Sequence, residues 1–479
     1  MSSICPTRYG AVVLAALCIL SGCNGLVGPT GTATPSRTPG EATAAPATPG
    51  GSTPSTTTER SPASATPAAD RLGWEAGYAA TDPLPVNASD GLNATELNAT
   101  VARTMARVEL IRGLEFEEPV AAEVVSRETF RERNVRFVER RDPRVTEAFW
   151  EALFLVGEDE NATGAIESVF GGGVVGYYAD DRIVLVSDDA SPRVDTGTLA
   201  HELVHALQDQ QFGGVDRGET FDARVGTQGL TEGDPVAVER AYRERCTGEW
   251  SCLSRPRPSS DAGAIARHPG VYLAFVQPYA TGPAFVEALR ERSGNWTAVN
   301  EAYADPPRAS EQVIHPGAYP DERPVNVTVP NRSGSNWTHI GNDTMGEGGI
   351  HVMFWANGLV PRGDDSVSTD YEHPRSAGWD GDTLVVYEET RDPDADAGGE
   401  GEMAYVWRTV WENGTEAQEF QRSYRAMLLV RHGAREVAPG TYHTGNGTFG
   451  DAFRVVRRNE TVTVVNAPTV EALPEVHAS

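Results

Sequence analysis

The chain has 479 residues, with 68 acidic and 40 basic ones, and its formal net charge is −28 at pH 7. Every basic residue is Arg, because the sequence contains no Lys. The acidic residues are spread along the chain rather than gathered in one tail, which argues against nucleic acid as a partner. Such a surface stays soluble where salt screens its self-repulsion, so we expect an exported protein of a halophile. An acidic, lysine-poor chain from another source is the alternative.

Residues 1–22 are predicted to be a lipoprotein signal peptide. Arg8 precedes an apolar run, Ala11–Leu20, that is too short to span a bilayer. The sequence Leu20–Cys23 resembles a lipobox, so we expect Cys23 to carry lipid, with an ordinary signal peptide as the alternative. Residues 23–70 form a tether rich in Thr, Pro, Ser and Ala. No later segment is apolar enough to span a membrane, so we expect a domain anchored by lipid at the extracellular face of the cell membrane.

Residues 71–325 are predicted to form an α+β catalytic region. Amphipathic helices are expected over Thr95–Ile111 and Arg144–Leu155, and a strand over Val120–Ser126. Val174–Tyr178 and Arg182–Val186 have the pattern of a β-hairpin. A hairpin that leads into a metal-binding helix is the arrangement of a zincin-like core, in which the strand beside the helix holds the substrate backbone.

The most specific signal is an H-E-x-x-H sequence formed by His201, Glu202 and His205. Residues four apart lie on the same face of a helix, so both imidazoles can bind one metal ion. Glu202 is placed beside them to hold and deprotonate a water at the metal. Asp195 or Thr196 is expected to cap this helix. The pattern therefore predicts a zinc-binding helix.

A catalytic zinc site needs a third protein ligand and an open position. The metzincin signature is excluded, because the positions where it requires Gly and His are both Gln. Glu232, in the sequence T-E-G-D-P, is predicted to complete a His2Glu site. Thr231 is expected to cap a helix that starts there, with Pro235 in its first turn. Glu239 is the rival ligand, interpreted as a solvated charge paired with Arg243.

Cysteine usage agrees with an extracellular location. Cys5 and Cys18 leave with the signal peptide, and Cys23 takes the lipid. Cys246 and Cys252 remain, and a disulfide between them is expected, with a second zinc site as the alternative.

The remaining predicted elements divide between the catalytic region and a C-terminal α+β lobe, residues 326–479. This lobe is either a separate domain or the second wall of the active-site cleft, and we favour the second. Two further helices of the catalytic region are predicted over Thr231–Arg245 and Pro283–Ser293. In the lobe, helices are predicted over Thr344–Trp355 and Thr415–Arg431, and strands over Thr383–Glu388, Met403–Trp411, Ala452–Arg457 and Thr461–Asn466.

Two further sets of residues are candidates for a role. Peptide hydrolysis needs a donor for the oxyanion, and His315 is the first candidate, with Tyr279, Tyr303, Tyr319, Glu347 and His351 as others. The chain also has twelve N-x-S/T sequons, typical of a surface glycoprotein, of which some are expected to be buried or unused. The sequon residues are Asn87, Asn93, Asn98, Asn161, Asn295, Asn326, Asn331, Asn336, Asn342, Asn413, Asn446 and Asn459.

The chain resembles a family of secreted or surface-anchored, gluzincin-like zinc metallopeptidases of halophilic archaea and bacteria. The resemblance rests on the sequences H-E-L-V-H-A-L-Q-D-Q and L-T-E-G-D, and it covers roughly residues 100–430. Other matching segments are Gln277–Leu289, Asn295–Val299, Pro306–Pro316, Thr344–Glu347, Gly378–Asp382 and Thr409–Phe420. Pro235 and Ala309 depart from the family, which usually has Ala and Ser or Thr at these positions, and neither is a proposed ligand. The resemblance implies a zinc metallopeptidase and leaves its specificity open.

Together these features predict a cell-surface zinc metalloendopeptidase that hydrolyses extracellular or envelope proteins. Its expected partners are a protein or peptide substrate and the membrane, which it contacts through lipid. A non-catalytic, zinc-containing surface lipoprotein is the main alternative, and metal-assisted hydrolysis of a non-peptide substrate is a third.

Overall fold

The structure is a computed structural model that describes residues 71–84, 86–87, 89–133, 142–170, 173–253, 262–361, 370–390, 401–445 and 447–478. The predicted signal peptide, Cys23, the tether and the sequon at Asn446 lie outside the described residues. In the ranges given above, no helix is both long and apolar enough to cross a membrane.

The fold is α+β. Its helices are α1 (Ala94–Arg112), α2 (Arg127–Glu132), α3 (Pro143–Ala152), α4 (Ala162–Phe170), α5 (Thr196–Phe212), α6 (Phe221–Arg245), α7 (Ala262–Arg267), α8 (Pro269–Ser293), α9 (Thr297–Ala302), α10 (Ser310–Ile314), α11 (Gly346–Ala356), α12 (Gly414–Ala426), which continues as a π-helical turn over Met427–Arg431, and α13 (Leu473–Val476). Its strands are β1 (Trp74–Glu75), β2 (Tyr78–Ala79), β3 (Ala121–Val125), β4 (Gly176–Ala179), β5 (Arg182–Val186), β6 (Trp337–Asp343), β7 (Trp379–Glu389), β8 (Met403–Trp411), β9 (Arg435–Ala438), β10 (Thr441–His443), β11 (Ala452–Arg458) and β12 (Thr461–Ala467).

A three-stranded sheet lies beside helix α5, which carries the H-E-x-x-H sequence. Its order is β3-β5-β4, with β3 parallel and β4 antiparallel to β5, so β4 is an edge strand. The turn between β4 and β5 places Asp180 and Asp181 at φ values of 51° and 61°. Asp tolerates this left-handed conformation better than most residues, which suits the tight hairpin. The hairpin expected from the sequence therefore forms and ends next to α5.

The second sheet has seven antiparallel strands in the order β6-β7-β8-β12-β11-β10-β9. The C-terminal strand β12 lies between β8 and β11, so the chain returns to the middle of the sheet. Trp379, Trp407 and Trp411 are buried here, with at most 1% of each side chain exposed. Aromatic side chains of this size supply much of the apolar area that a sheet buries.

One hydrophobic core joins the first sheet's helices to the second sheet. The same cluster of buried side chains contains Trp150 and Val271 from the N-terminal part and Trp407 and Phe453 from the C-terminal part. Helix α3 packs directly on β6, β7 and β8. The division proposed at residues 325 and 326 therefore does not separate two independent cores.

The largest difference from the sequence prediction concerns α6. The helix begins at Phe221 with Thr220 as its N-cap, not at Thr231, so Glu232 lies in the helix interior and Pro235 is internal as well. A Pro cannot donate to the carbonyl four residues before it. The carbonyl of Thr231 instead accepts a hydrogen bond from Nε2 of Gln208 at 3.1 Å. The side chain of Gln208 on α5 thus replaces the backbone hydrogen bond that Pro235 cannot form.

Helix α8 also starts earlier than predicted, at Pro269 instead of Pro283, and it contains Pro278 and Pro283. The predicted helix over Thr415–Arg431 is α-helical only to Ala426. Strands β1, β2, β6, β9 and β10 were not expected from the sequence pattern. Most of these are short edge or turn elements, for which alternation of polar and apolar residues is a weak signal.

Candidate metal centre

The H-E-x-x-H residues on helix α5 are almost fully buried in the structure. Of the two expected caps, Asp195 is the N-cap, and its carboxylate accepts the backbone N–H of Gly197 at 2.9 Å. The exposed fractions of His201, Glu202 and His205 are 5%, 1% and 3%. A helix whose polar residues are buried to this degree needs polar partners for them on neighbouring elements.

Those partners include Glu232 on α6, the residue predicted as third ligand. Nε2 of His201 lies 3.5 Å from Oε2 of Glu232, and Nε2 of His205 lies 3.4 Å from the same oxygen. One ligand atom from each of the three residues lies within 4.8 Å of the other two. The tertiary structure thus brings together His201, His205 and Glu232, which we call the ligand trio.

A close helix contact supports α6 beside the ligand trio. A Cβ atom added to Gly233 would lie 2.5 Å from the carbonyl carbon and oxygen of Gly282 on α8. Real Cβ atoms do not approach backbone atoms so closely, so only Gly fits at this crossing of α6 and α8. The Gly of the T-E-G-D sequence is therefore required by packing directly next to Glu232.

Atoms of the ligand trio fit a bound cation. Nε2 of His205 and both carboxylate oxygens of Glu232 are buried and lack a hydrogen-bond partner of acceptable geometry. Buried polar atoms are hydrogen-bonded in the great majority of cases, so three such atoms close together are a group that could hold a metal ion. Two imidazole nitrogens and one carboxylate form the donor set of zinc sites of the His2Glu type.

The ionisation of the ligand trio shows how strongly its members interact. Burial alone would lower the pKa of His201, but Glu232 and Glu239 outweigh it and raise that pKa to about 10. Burial would raise the pKa of Glu232, but His205 and His201 outweigh it and lower that pKa to about 2. The carboxylate of Glu232 is therefore anionic and available as a ligand at neutral pH.

Each histidine of the ligand trio has a second polar contact through its other ring nitrogen. Nδ1 of His201 lies 3.4 Å from Oε2 of Glu239, and Nδ1 of His205 lies 3.1 Å from Oε1 of Gln208. The interpretation of Glu239 as a solvated charge is wrong, because it is only 6% exposed. Its predicted pairing with Arg243 is present, at 2.6 Å. Acceptors at Nδ1 leave Nε2 of both histidines directed at Glu232.

The amide of Gln208 is itself held by a buried network that was not predicted. Its Nε2 lies 3.4 Å from Oδ2 of Asp234, which also accepts the hydroxyl of Tyr303 at 2.8 Å. Asp234 also accepts a hydrogen bond from Nε of Arg112 at 2.8 Å, and the side chains of Asp234 and Arg112 are at most 1% exposed. Gln208 lies in the sequence H-E-L-V-H-A-L-Q-D-Q and Asp234 in L-T-E-G-D. Their membership of these motifs was the sequence signal that could have identified the network.

Glu202 is fixed by the edge strand β4. Its Oε2 accepts the backbone N–H of Tyr178 at 3.0 Å. The hydroxyl of Tyr178 donates to Oδ2 of Asp209 on α5 at 3.0 Å, so the strand is attached to the helix at two points. The outer edge of β4 therefore faces the predicted base.

The predicted oxyanion donor His315 is bonded elsewhere. Its Nε2 lies 3.1 Å from Oε1 and Oε2 of Glu347, and this contact, followed by the charges of Glu347 and Glu372, raises the pKa of His315. Tyr279 lies closer to the ligand trio, because its ring is nearly parallel to that of His201 at a centroid distance of 6.3 Å.

The other oxyanion candidates have structural contacts. The hydroxyl of Tyr303 is taken by Asp234, and that of Tyr319 donates to the carbonyl of Asp305 at 2.7 Å. His351 lies against the rings of Tyr371 and His373. Among the predicted candidates with a described ring interaction, Tyr279 is the one whose ring lies parallel to that of a member of the ligand trio.

Modification sites are placed as follows. Cys246 and Cys252 form a disulfide with a Cα–Cα distance of 5.6 Å. All eleven described sequon asparagines are exposed, so burial excludes none of these from glycosylation. Asn93 and Asn413 are in addition the N-caps of α1 and α12.

A second group of acidic residues lies away from the predicted site. Carboxylate oxygens of Glu151, Glu158 and Asp451 lie within 4.8 Å of one another. Burial raises the pKa of all three, with a value of about 7 for Glu158. Protonation of these carboxyl groups would remove the repulsion between them.

Comparison with known proteins gives one match. A family profile with the description "Domain of unknown function (DUF8575)" matches residues 336–477. The match covers the seven-stranded sheet with α11, α12 and α13, and it includes none of the ligand trio. No curated protein and no solved structure matches the chain.

Proposed function

We propose that the protein is a zinc-dependent metallopeptidase of the gluzincin-like type, with His201, His205 and Glu232 as metal ligands and Glu202 as general base. The observation that carries this proposal is the set of buried, unpartnered atoms of the ligand trio, within 4.8 Å of one another. A structural zinc site usually has four protein ligands. Three ligands with a glutamate on the same helix favour a catalytic site.

The arrangement of α5 and β4 supports a zincin-like core. An extended peptide can pair with the open edge of β4, as in strand addition to a sheet edge. The backbone N–H of Tyr178 on this edge holds Glu202, so a peptide bound there would pass close to the base. A cleft closed on its other side by the C-terminal lobe, residues 326–479, is part of the same proposal.

The residues then act in a simple sequence. A bound zinc ion would supply a Lewis acid that polarises the attacking water and the scissile carbonyl. Glu202 accepts the proton of that water and passes it to the leaving amine. Tyr279, stacked on His201, is the candidate donor to the developing oxyanion. Glu239 and Gln208 keep the two imidazoles in the orientation that presents Nε2.

Location and substrate follow from the parts of the sequence outside this site. We propose that Cys23 is lipidated and that the enzyme acts on extracellular or envelope proteins. Mass spectrometry of the mature N-terminus tests the anchor: a lipid-modified Cys23 is expected, and an unmodified terminus at another residue would contradict it.

The experiment for catalysis compares wild type with Glu202→Gln in a casein or peptide-library assay at high salt, with zinc content measured on the same samples. The variant keeps size and polarity but cannot take a proton, so turnover should fall by about 10²–10⁴ while zinc is retained. Glu244→Gln, at an exposed position on α6, is the charge-matched control. A zinc-loaded wild type without any hydrolysis would favour the alternative, a non-catalytic zinc-containing surface lipoprotein.

A further inference from the structure

The two histidines of the ligand trio have different partners at Nδ1. His205 faces the neutral amide of Gln208, whereas His201 faces the carboxylate of Glu239. The carboxylate of Glu239 is also ion-paired with Arg243, whose Nη2 lies 2.6 Å from its Oε1. Only one of the two imidazoles is therefore backed by a negative charge.

Glu239 divides its two oxygens between two tasks. Oε1 accepts Nε and Nη2 of Arg243 at 2.8 Å and 2.6 Å, while Oε2 lies 3.4 Å from Nδ1 of His201. An ion pair with Arg243 alone does not explain why this carboxylate is buried, because removing charges from water has a desolvation cost that an exposed ion pair avoids. The buried position of Glu239 is explained by its second oxygen, which reaches the metal-binding imidazole.

Arg243 connects this carboxylate to the start of the metal-binding helix. Its Nη1 lies 3.1 Å from Oδ1 of Asp195, the N-cap of α5. A Cβ atom on Gly197 would lie 2.4 Å from Cζ of Arg243, so the guanidinium packs directly on the first turn of α5 at this Gly. Asp195, Arg243, Glu239 and His201 thus form one continuous series of polar contacts, which we call the Asp195–His201 relay.

We propose that Glu239 is a positioning residue for the metal site, which acts through His201 and is held in place by Arg243 and Asp195. The proposal rests on the zinc site described under the proposed function. A carboxylate that accepts Nδ1–H fixes the tautomer and the ring direction of the imidazole and strengthens its donation to the metal. Its charge also compensates the cation in a buried site. The relay anchors α6 to the N-terminus of α5, so the same contacts hold both ligand-bearing helices in register.

Metal affinity measures this role without activity. Zinc affinity is determined by competition with a chromophoric chelator for wild type, Glu239→Ala, Glu239→Gln and the exposed control Glu244→Ala. Loss of such a partner costs about 10–100-fold in metal affinity, which is the expected effect of Glu239→Ala. Glu239→Gln keeps an acceptor oxygen without the charge, so its affinity should lie between that of Glu239→Ala and wild type. Glu244→Ala should match wild type.

A spectroscopic measurement separates positioning from general stability. In the Co²⁺-substituted protein, the ligand-field bands should change in Glu239→Ala and remain unchanged in Glu244→Ala. The free energy of unfolding in chelator is measured for each variant, and Glu239→Gln carries the test if Glu239→Ala does not fold.

The outcomes distinguish this inference from the proposal on which it rests. A wild type that binds neither Zn²⁺ nor Co²⁺ would overturn the metal site itself. If both Glu239 variants bind metal with wild-type affinity and give wild-type Co²⁺ spectra, only the role of Glu239 is overturned. The same holds if these variants are less stable in chelator but their metal affinity is unchanged.

Discussion

Glu232 on α6 and Asp382 on β7 are both buried carboxylates, with exposed fractions of 0% and 5%, but their surroundings differ. Asp382 accepts the indole N–H groups of Trp379 and Trp407 at 2.9 Å and 3.1 Å. It also accepts two backbone N–H groups at the start of α11, at 3.0 Å and 2.9 Å. Neither oxygen of Glu232 has a hydrogen-bond partner. In the same protein, therefore, one buried carboxylate is hydrogen-bonded by the fold, and the other has no hydrogen-bond partner and is the proposed metal ligand.

The different surroundings of Asp382 and Glu232 define two kinds of protein interior, one around the seven-stranded sheet and one around α5 and α6. Around the seven-stranded sheet, large apolar side chains are buried and the carboxylate of Asp382 among them is hydrogen-bonded through both oxygens, which favours stability. Around α5 and α6, the fold holds charged groups in place through the Asp195–His201 relay and through the network of Gln208, Asp234 and Arg112. The first region should respond to mutation mainly in stability, and the second mainly in metal binding.

The largest expected effect is on the sheet. Trp407→Ala removes a fully buried indole and one donor to Asp382, so the free energy of unfolding should fall by about 3–5 kcal/mol. Val437→Ala, at a residue of the edge strand β9 that is 53% exposed, is the control and should change it by less than about 0.5 kcal/mol. Chemical denaturation checks both variants. An altered zinc affinity in folded Trp407→Ala would show that the two regions are not independent.

Zinc should stabilise the protein through the ligand trio. At a free zinc concentration 100 times Kd, binding to the native state alone raises the free energy of unfolding by about 2.7 kcal/mol. Glu232→Gln weakens one ligand, so at the same zinc concentration its increase should be smaller, whereas Val437→Ala should show the full increase. Denaturation with and without zinc measures the three proteins. Equal increases in wild type and Glu232→Gln would exclude Glu232 as a ligand.

A pH dependence is expected from Glu311 on α10, a helix that packs on α6, α8 and α11. Burial, followed by the charge of Glu347, raises its pKa from 4.5 to about 9. The folded state therefore keeps a proton that the unfolded state loses between these values, so stability falls as the pH rises through this window. Glu311→Gln should flatten the decrease between pH 5 and pH 9, and Glu301→Gln, at an exposed position, should not. An unchanged slope in Glu311→Gln would contradict this assignment.

The smallest effect concerns Ala309, where the resembling family usually has Ser or Thr. Ala309 is the N-cap of α10 and provides no side-chain hydrogen bond to the helix. Ala309→Ser would supply the missing acceptor, and we expect the free energy of unfolding to rise by about 1 kcal/mol. Zinc affinity should not change, because α10 contributes no ligand. A destabilised variant would mean that the packed surroundings of this buried residue leave no room for the hydroxyl.

The sequence alone determined those features that depend on local geometry. The spacing of His201 and His205 places them on one helical face whatever the rest of the fold does, and the position of Glu202 follows from the same helix. Asp195 as a cap, the hairpin of β4 and β5, and strand β8 over Met403–Trp411 were recognisable for the same reason. Each of these involves residues that are close in sequence.

Only the tertiary structure decided the rest of the site. Pro235 suggested a helix start, yet α6 continues through it, because Gln208 on another helix satisfies the carbonyl of Thr231. Glu239 looked like a surface charge from its i+4 pairing with Arg243, and it is buried because α6 packs on α5. The close contact of Gly233 with Gly282, the order of the seven strands and the position of His315 are of the same kind. All of these features depend on which helices and strands pack against each other. Whether a charged side chain is buried depends on neighbours that are far away in sequence.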